Sequence, residues 1–186
     1  MNILTREATR RLSSASETAG TATDVLFHAV GECALGKVLV ARSAKGVCAV
    51  LLGHDATELE ADLVKRFPKA TLVSNEAMVR NDLAKIARFV DNPSEGLDLA
   101  LDMRGTPLQR RVWQIIRSIP TGQTRSYMQL ARLINCAYPL VSARVVANAC
   151  AANPIALAIP CHRVMLAGYR WGLMRKRELL EKEAAA

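Results

Sequence analysis

No apolar run in this chain approaches the roughly 20 residues that a membrane-crossing helix needs, although 51% of its residues are hydrophobic. The N-terminus, Met1 to Asp24, is polar and lacks the apolar stretch of a secretory signal. Aromatic residues are scarce, at 4%, so a core must come from aliphatic side chains. The five cysteines, at 33, 48, 136, 150 and 161, are odd in number and show no paired metal-ligand spacing. They read as reduced thiols of a cytoplasmic protein, with neither a metal nor another cofactor expected. Cys33, Cys48 and Cys150 lie in apolar surroundings and are expected in the core. Acidic residues nearly vanish from the second half: residues 101–186 hold 4 Asp and Glu against 13 Lys and Arg, and residues 1–100 hold 13 against 12. Eleven of those 13 basic residues are arginines, whose planar forks suit phosphates. A polyanion such as nucleic acid is the partner this implies, and a merely solvated basic face is the competing explanation.

Residues 1–23, rich in Ser, Thr, Ala and Glu, read as a flexible N-terminal arm. Val25 to Val30 is a short apolar run. Gly36 to Ala41 and Gly46 to Leu52 are β-branched runs around Arg42-Ser43-Ala44-Lys45, a hairpin signal. Helical spacing follows over Glu58–Phe67 and Glu76–Val90, and Leu97–Met103 alternates as a strand. The first half is therefore a small α/β unit. In the second half Thr106 and Pro107 suit the start of a helix whose stripe is Leu108, Val112, Ile115, Ile116 and Ile119. Thr124-Arg125-Ser126 caps a short helix to about Ile134, Asn135–Pro139 is a turn, and Leu140–Ala152 is a helix rich in small residues. Two short helices around a tight turn fit a helix-turn-helix. Trp113 and Trp171 read as core anchors.

The chemistry-bearing stretch is Ile159-Pro160-Cys161-His162-Arg163-Val164. Pro160 ends regular structure and fixes a bend. A thiol there has a base beside it, as a thiolate nucleophile near neutral pH requires. Alone, the pair reads first as a buried structural cysteine with a histidine beside it by chance.

The wider set removes that balance. Arg104-Gly105-Thr106-Pro107-Leu108-Gln109, Val112-Trp113, Ile119-Pro120, Ser126-Tyr127, Arg144, Asn153-Pro154, Pro160-Cys161-His162-Arg163-Val164 and Gly168-Tyr169-Arg170-Trp171-Gly172 stand in this order. In this the chain resembles the O6-alkylguanine-DNA alkyltransferase (methylated-DNA–protein-cysteine methyltransferase) family, most of all the C-terminal half of its bacterial adaptive-response members. The resemblance implies a ribonuclease-H-like α/β domain over 24–101 and an all-α helix-turn-helix domain over 102–186. It implies a single-turnover repair protein, monomeric, acting on double-stranded DNA that contains O6-alkylguanine, with O4-methylthymine left open as a second lesion. The damaged base is flipped out, because a stacked O6 cannot meet a thiolate in line. By the same resemblance Cys161 accepts the alkyl group, His162 takes its proton through a water, and Glu183 orients His162. Arg144 fills the stack, Tyr127 holds the adjacent phosphate and donates to the guanine, and Gln109 and Met128 meet the DNA backbone. The carbonyls of Cys161 and Val164 accept from the guanine amine, the Arg170 N–H faces O6, Tyr169 belongs to the pocket, and Asn153 braces the turn between the recognition helix and a strand carrying Cys161.

Two stretches depart from the family pattern. Only His162 to Gly168 separate Cys161 from Tyr169, several residues fewer than is usual, and the turn around Asn135–Pro139 is longer. Two other readings stay open at this point: a binder of alkylated bases with weak or no transfer, and a cysteine hydrolase using Cys161 and His162. The second leaves the arginine bias unexplained.

Overall fold

The computed structural model describes residues 24–135, 141–165 and 168–185. The expected arm over 1–23, the body of the expected turn at 136–140, and Leu166-Ala167 in the shortened loop lie outside the described residues.

Strands β1 (Val25–Cys33), β2 (Gly36–Ser43) and β3 (Gly46–Gly53) run antiparallel in succession, and β4 (Thr71–Ser74) joins the far side of β1 in parallel, in the order β3-β2-β1-β4. The β2–β3 turn needs Gly46, which sits at φ +143°; an added Cβ would stand 2.4 Å from the Ala100 carbonyl. Helix α1 (Ala56–Arg66), capped by Asp55, crosses from β3 to β4, and α2 (Glu76–Asp91), capped by Asn75, follows. Their apolar stripes do what the 3.6-residue period predicts. Leu59 and Leu63 of α1 join Leu26, Leu39 and Leu51, whereas Val79, Ile86 and Val90 of α2 join a larger cluster that includes Val38, Val40 and Val50.

The second half comprises α3 (Pro107–Arg117), β5 (Arg125–Ser126), α4 (Tyr127–Asn135), α5 (Ala143–Ala152), a 3₁₀ turn (Cys161–Arg163), β6 (Val164–Met165) and α6 (Leu173–Ala184). Helix α3 starts with a reciprocal cap: Gln109 N–H donates to Thr106 Oγ1 at 3.2 Å, and Thr106 N–H donates to Gln109 Oε1 at 2.9 Å. Ser126 and Gln129 repeat the device at α4, at 3.2 and 2.7 Å. Asn135, the last residue of α4, exchanges hydrogen bonds with the backbone of Val141 ahead of α5. Trp113 is buried and ties α3 to α5 through Nε1 donating to Ala149 O at 2.8 Å.

Strand β3 lies at a sheet edge yet Val47 to Leu52 are buried throughout. Two segments of the chain close that edge. Ala100–Asp102 bond to Val47, and Pro154 and Ala156 bond to Val50, each at 2.8 or 2.9 Å. An edge covered in this way needs no charged residue to block pairing with another chain. The larger cluster runs through both halves, from Val38 and Phe89 to Trp113, Ile155 and Leu179.

Three expectations change. Leu97–Met103 is not a strand: only Leu101 is bridged, to Val47, where Ala100 O and Asp102 N–H bond the backbone of that one residue. The second half is not all-α, since Arg125–Ser126 pairs in parallel with Val164–Met165. Cys161 does not sit on a strand but opens a 3₁₀ turn. The sequence reading also missed β4, four residues of which the two ends are exposed.

Candidate active site

The path to Cys161 begins at the end of α5. Asn153 caps that helix and is fully buried. Its Oδ1 accepts from Ile155 N at 2.8 Å, and its Nδ2 lies 3.3 Å from Ile155 O, 3.1 Å from Ile159 O and 3.2 Å from the Cys161 sulfur. Between these anchors Leu157 is held at φ 66°, a left-handed conformation unusual for a bulky residue. Such a residue costs about 1–3 kcal/mol and persists only where its surroundings fix it. Here the β3 bridge at Ile155 and the Asn153 side chain do so. The Asn153 side chain thus holds the loop at Ile155 and Ile159 and donates to the Cys161 thiol.

Cys161 opens onto a cavity of about 390 Å³ whose walls include Tyr127, Cys150, Tyr169, Arg170 and Trp171, with Ala147 and Ala151 of α5 between them. The small residues of α5 leave this space. Tyr169 packs edge-on against Trp171, with ring centroids 5.3 Å apart, and also lies edge-on to His162 at 6.4 Å. The Arg170 side chain leaves the rim to pair with Asp62 of α1 at 3.1 Å.

Behind Cys161, His162 is fully buried and its Nε2 lies 2.8 Å from Glu183 Oε1. Glu183 is also gripped by Arg163, whose Nε and Nη2 approach its oxygens at 2.9–3.1 Å. Arg163 is fixed in turn by Ile119 O at 2.7 Å and Thr121 Oγ1 at 3.1 Å, in the turn after α3. That turn requires Gly122, at φ 73°, where a Cβ would come within 3.2 Å of Glu183 O.

The charges follow from these contacts. Burial by itself would raise the Glu183 carboxyl, but the hydrogen bonds from His162 and Arg163 outweigh it and hold the group at about 2. Burial lowers His162 further than Glu183 raises it, so the ring is neutral. With Glu183 ionised, Nε2 carries the proton and Nδ1 is the basic nitrogen. Nδ1 and the Tyr169 hydroxyl are buried without a partner among the described residues. Burial and the neighbouring thiols Cys150 and Cys161 push Tyr127 up to about 12, so it remains a hydrogen-bond donor. Lys176 is buried on α6 and donates to Val164 O at 2.7 Å; burial lowers its ammonium, against the pull of the two thiols.

The structure brings Cys161, Tyr127, Tyr169 and Arg170 to one cavity, with His162, Glu183, Asn153 and Val164 directly behind it. It leaves three named residues apart. Met128 is 59% exposed at the start of α4, Arg144 is exposed on α5, and Gln109 closes the α3 cap. Sequence reasoning missed Arg163 and Lys176 as parts of the site and placed Cys150 only in the core. One signal was available: Lys176, Leu179 and Glu183 fall at i, i+3 and i+7, one face of a helix. Among the described residues no helix is long and apolar enough to cross a membrane.

Residues 107–185 match the family model described as 6-O-methylguanine DNA methyltransferase, DNA binding domain. The chain is 43% identical over 162 residues to the bifunctional transcriptional activator/DNA repair enzyme Ada of Escherichia coli, covering 84% of this chain and 45% of that protein. It thus spans about half the length of that relative. To the methylated-DNA–protein-cysteine methyltransferase of Candida albicans it is 36% identical over 173 residues, covering 85% of this chain and 96% of the relative. Among solved structures, the Mycobacterium tuberculosis OGT in complex with DNA superposes with a TM-score of 0.62 at 29% identity, covering 86% of this chain and 93% of that one. With a full-length relative matched from end to end and the Cys161 cavity in place, the chain belongs to the methylated-DNA–protein-cysteine methyltransferase family.

Proposed function

We propose that this chain repairs DNA by moving the alkyl group of O6-methylguanine to Cys161 in a single turnover. The observation that carries the reading is one sulfur, Cys161 Sγ, at the wall of a base-accepting cavity, held by the Asn153 amide and backed by the buried His162–Glu183 pair. In the reaction the sulfur attacks the alkyl carbon, the carbon–O6 bond breaks, and its electron pair returns to the guanine. The thiol proton leaves toward His162, whose Nδ1 is free to accept it through a water, and Glu183 steadies the ring as it gains charge. Tyr127, kept protonated, donates to the departing guanine. The Cys161 carbonyl and the Arg170 N–H frame the base beside Tyr169. The Val164 carbonyl already accepts from Lys176, so a guanine amine uses its second lone pair. No thiol would be needed in a protein that only binds alkylated bases.

On the same reading residues 102–186 carry the duplex contacts. Arg144 occupies the stack, and Met128 and Gln109 lie along the backbone, Gln109 through the amide nitrogen its cap leaves free. Residues 24–101 form a ribonuclease-H-like unit, a description supported by the antiparallel β3-β2-β1 run followed by parallel β4. The protein acts as a monomer.

The test is a tryptic mass map after incubation with duplex containing O6-methylguanine. One methyl group per molecule, on the Cys161 peptide alone, is expected. Repeated turnover, or the methyl group on Cys150, overturns the reading.

A further inference from the structure

The transfer reaction consumes one thiol, yet the cavity holds two. Cys150, in the last turn of α5, is 6% exposed, Cys161 is 3% exposed, and both line the same space. The Cys161 sulfur lies 4.0 Å from Cys150 O, which places the two residues side by side on the cavity wall. Cys48, by contrast, is buried with its sulfur directed at Ala41 O, away from any cavity partner. All the cysteines among the described residues are free thiols.

We propose that Cys150 is a resolving cysteine, closing a reversible disulfide with Cys161 when a hydroperoxide oxidises the acceptor thiol. The inference rests on Cys161 being the reactive thiol. In the first step the Cys161 sulfur attacks one oxygen of hydrogen peroxide. The O–O bond breaks, and hydroxide leaves and becomes water with the thiol proton, giving a sulfenic acid. In the second step Cys150 sulfur attacks the sulfenic sulfur, the S–O bond breaks, and the departing hydroxide takes the Cys150 proton as a second water. Two thiols lose two electrons and one peroxide gains them. A sulfenic acid without a thiol beside it goes on to sulfinic acid, which ordinary thiols do not reverse.

Cys150 is a weak acid in the resting site. Its neighbour Cys161 raises it, and burial adds to this. The cavity, about 390 Å³, admits a peroxide. Thiol–disulfide exchange then returns both cysteines.

The experiment treats the full chain with hydrogen peroxide, removes the excess with catalase, and measures methyl transfer from O6-methylguanine duplex before and after dithiothreitol, with a non-reducing peptide map at each stage. The expected results are loss of transfer, a linked Cys150–Cys161 peptide pair lighter by two hydrogens, and recovery with dithiothreitol. Cys150→Ala, compared with its own untreated rate, should lose transfer without recovery, its Cys161 peptide heavier by two oxygens. The proposal is overturned if the wild-type map lacks the linked pair, if Cys161 is joined to another cysteine, or if Cys150→Ala recovers as fully as wild type. The wild-type map decides the matter even if the variant folds poorly. Failure of the untreated protein to transfer methyl would instead remove the alkyl-transfer reading, and the map would still report on the thiol pair.

Discussion

Replacing Glu183 by Gln keeps the shape of the side chain and removes one charge. In the folded protein that carboxylate is 3% exposed and receives His162, Arg163 and, at 3.4 Å, the Gly122 N–H. These contacts take it from 4.5 to about 2, and at about 1.4 kcal/mol per unit the shift is worth about 3 kcal/mol. Because the folded value is depressed, that stability is fully present above the unfolded value near 4.5 and is lost as pH falls toward 2. The variant turns an amide N–H₂ toward either His162 or Arg163, both donors, and leaves the buried Arg163 charge without its carboxylate. A loss of about 3–5 kcal/mol at neutral pH is expected. His162, held neutral by burial, adds its own acid sensitivity from its ordinary value of 6.5 downward, and more of it in the variant, which lacks the Glu183 that raises His162. The gap between wild type and Glu183→Gln should therefore close only as the wild-type carboxylate protonates, between about pH 5 and pH 2. Urea unfolding followed by circular dichroism across that range measures it. Parallel stability curves below pH 4.5, or a neutral-pH loss under about 1 kcal/mol, would show that the carboxylate is not held as argued.

Arg144→Ala should abolish most repair of duplex DNA while leaving reaction with free O6-benzylguanine near the wild-type rate, since filling the stack offsets a flipping cost of a few kcal/mol only when there is a stack. Equal losses on both substrates, measured in one preparation, would mean that Arg144 supports the cavity instead. Duplex binding by Cys161→Ala, which isolates affinity from transfer, should weaken with salt, log K falling by about 0.9 per phosphate neutralised; a flat response between low and moderate salt would contradict a phosphate-borne interface.

Legibility differed from element to element for physical reasons. The β2–β3 hairpin was readable because β3 is covered on its edge as well as its faces, so its sequence is apolar without interruption. Strand β4 and the β5–β6 ladder were not readable, because four and two residues are too few to show a period. Leu97–Met103 alternates like a strand because it lies against β3, yet it is bridged to the sheet at Leu101 alone. At the site, Cys161 and His162 are adjacent in the chain and stood out at once. Glu183, 21 residues on, was assigned by resemblance alone, and the geometry sets it 2.8 Å from His162. Arg163 and Lys176 look like ordinary surface charges, since only tertiary packing buries them to 7% and 8% exposure.

Among the described residues, the first half of the chain supplies no atom to the cavity wall, yet it fixes where the wall stands. Val50 of β3 holds Pro154 and Ala156, the residues between Asn153 and the left-handed Leu157, so the sheet edge sets the start of the loop that ends at Cys161. On the opposite wall Arg175 donates to Leu35 O, Gly53 O and Trp171 O, each at 2.8 Å. It ties the Tyr169–Trp171 segment to the β1–β2 turn and to the last residue of β3, and Arg170–Asp62 adds a second tie to α1. Lys182 reaches Val90 O at 3.1 Å from the same helix as Glu183. Removing residues 24–101 would break all of these ties at once and strip the cover from the part of the larger core cluster that the second half contributes. An arginine-rich helical half could bind phosphates without this support. On the proposed function, a thiol that has to meet an alkyl carbon in line within a fraction of an ångström could not, and that need would be reason enough for the sheet to be joined to the helices by one continuous core.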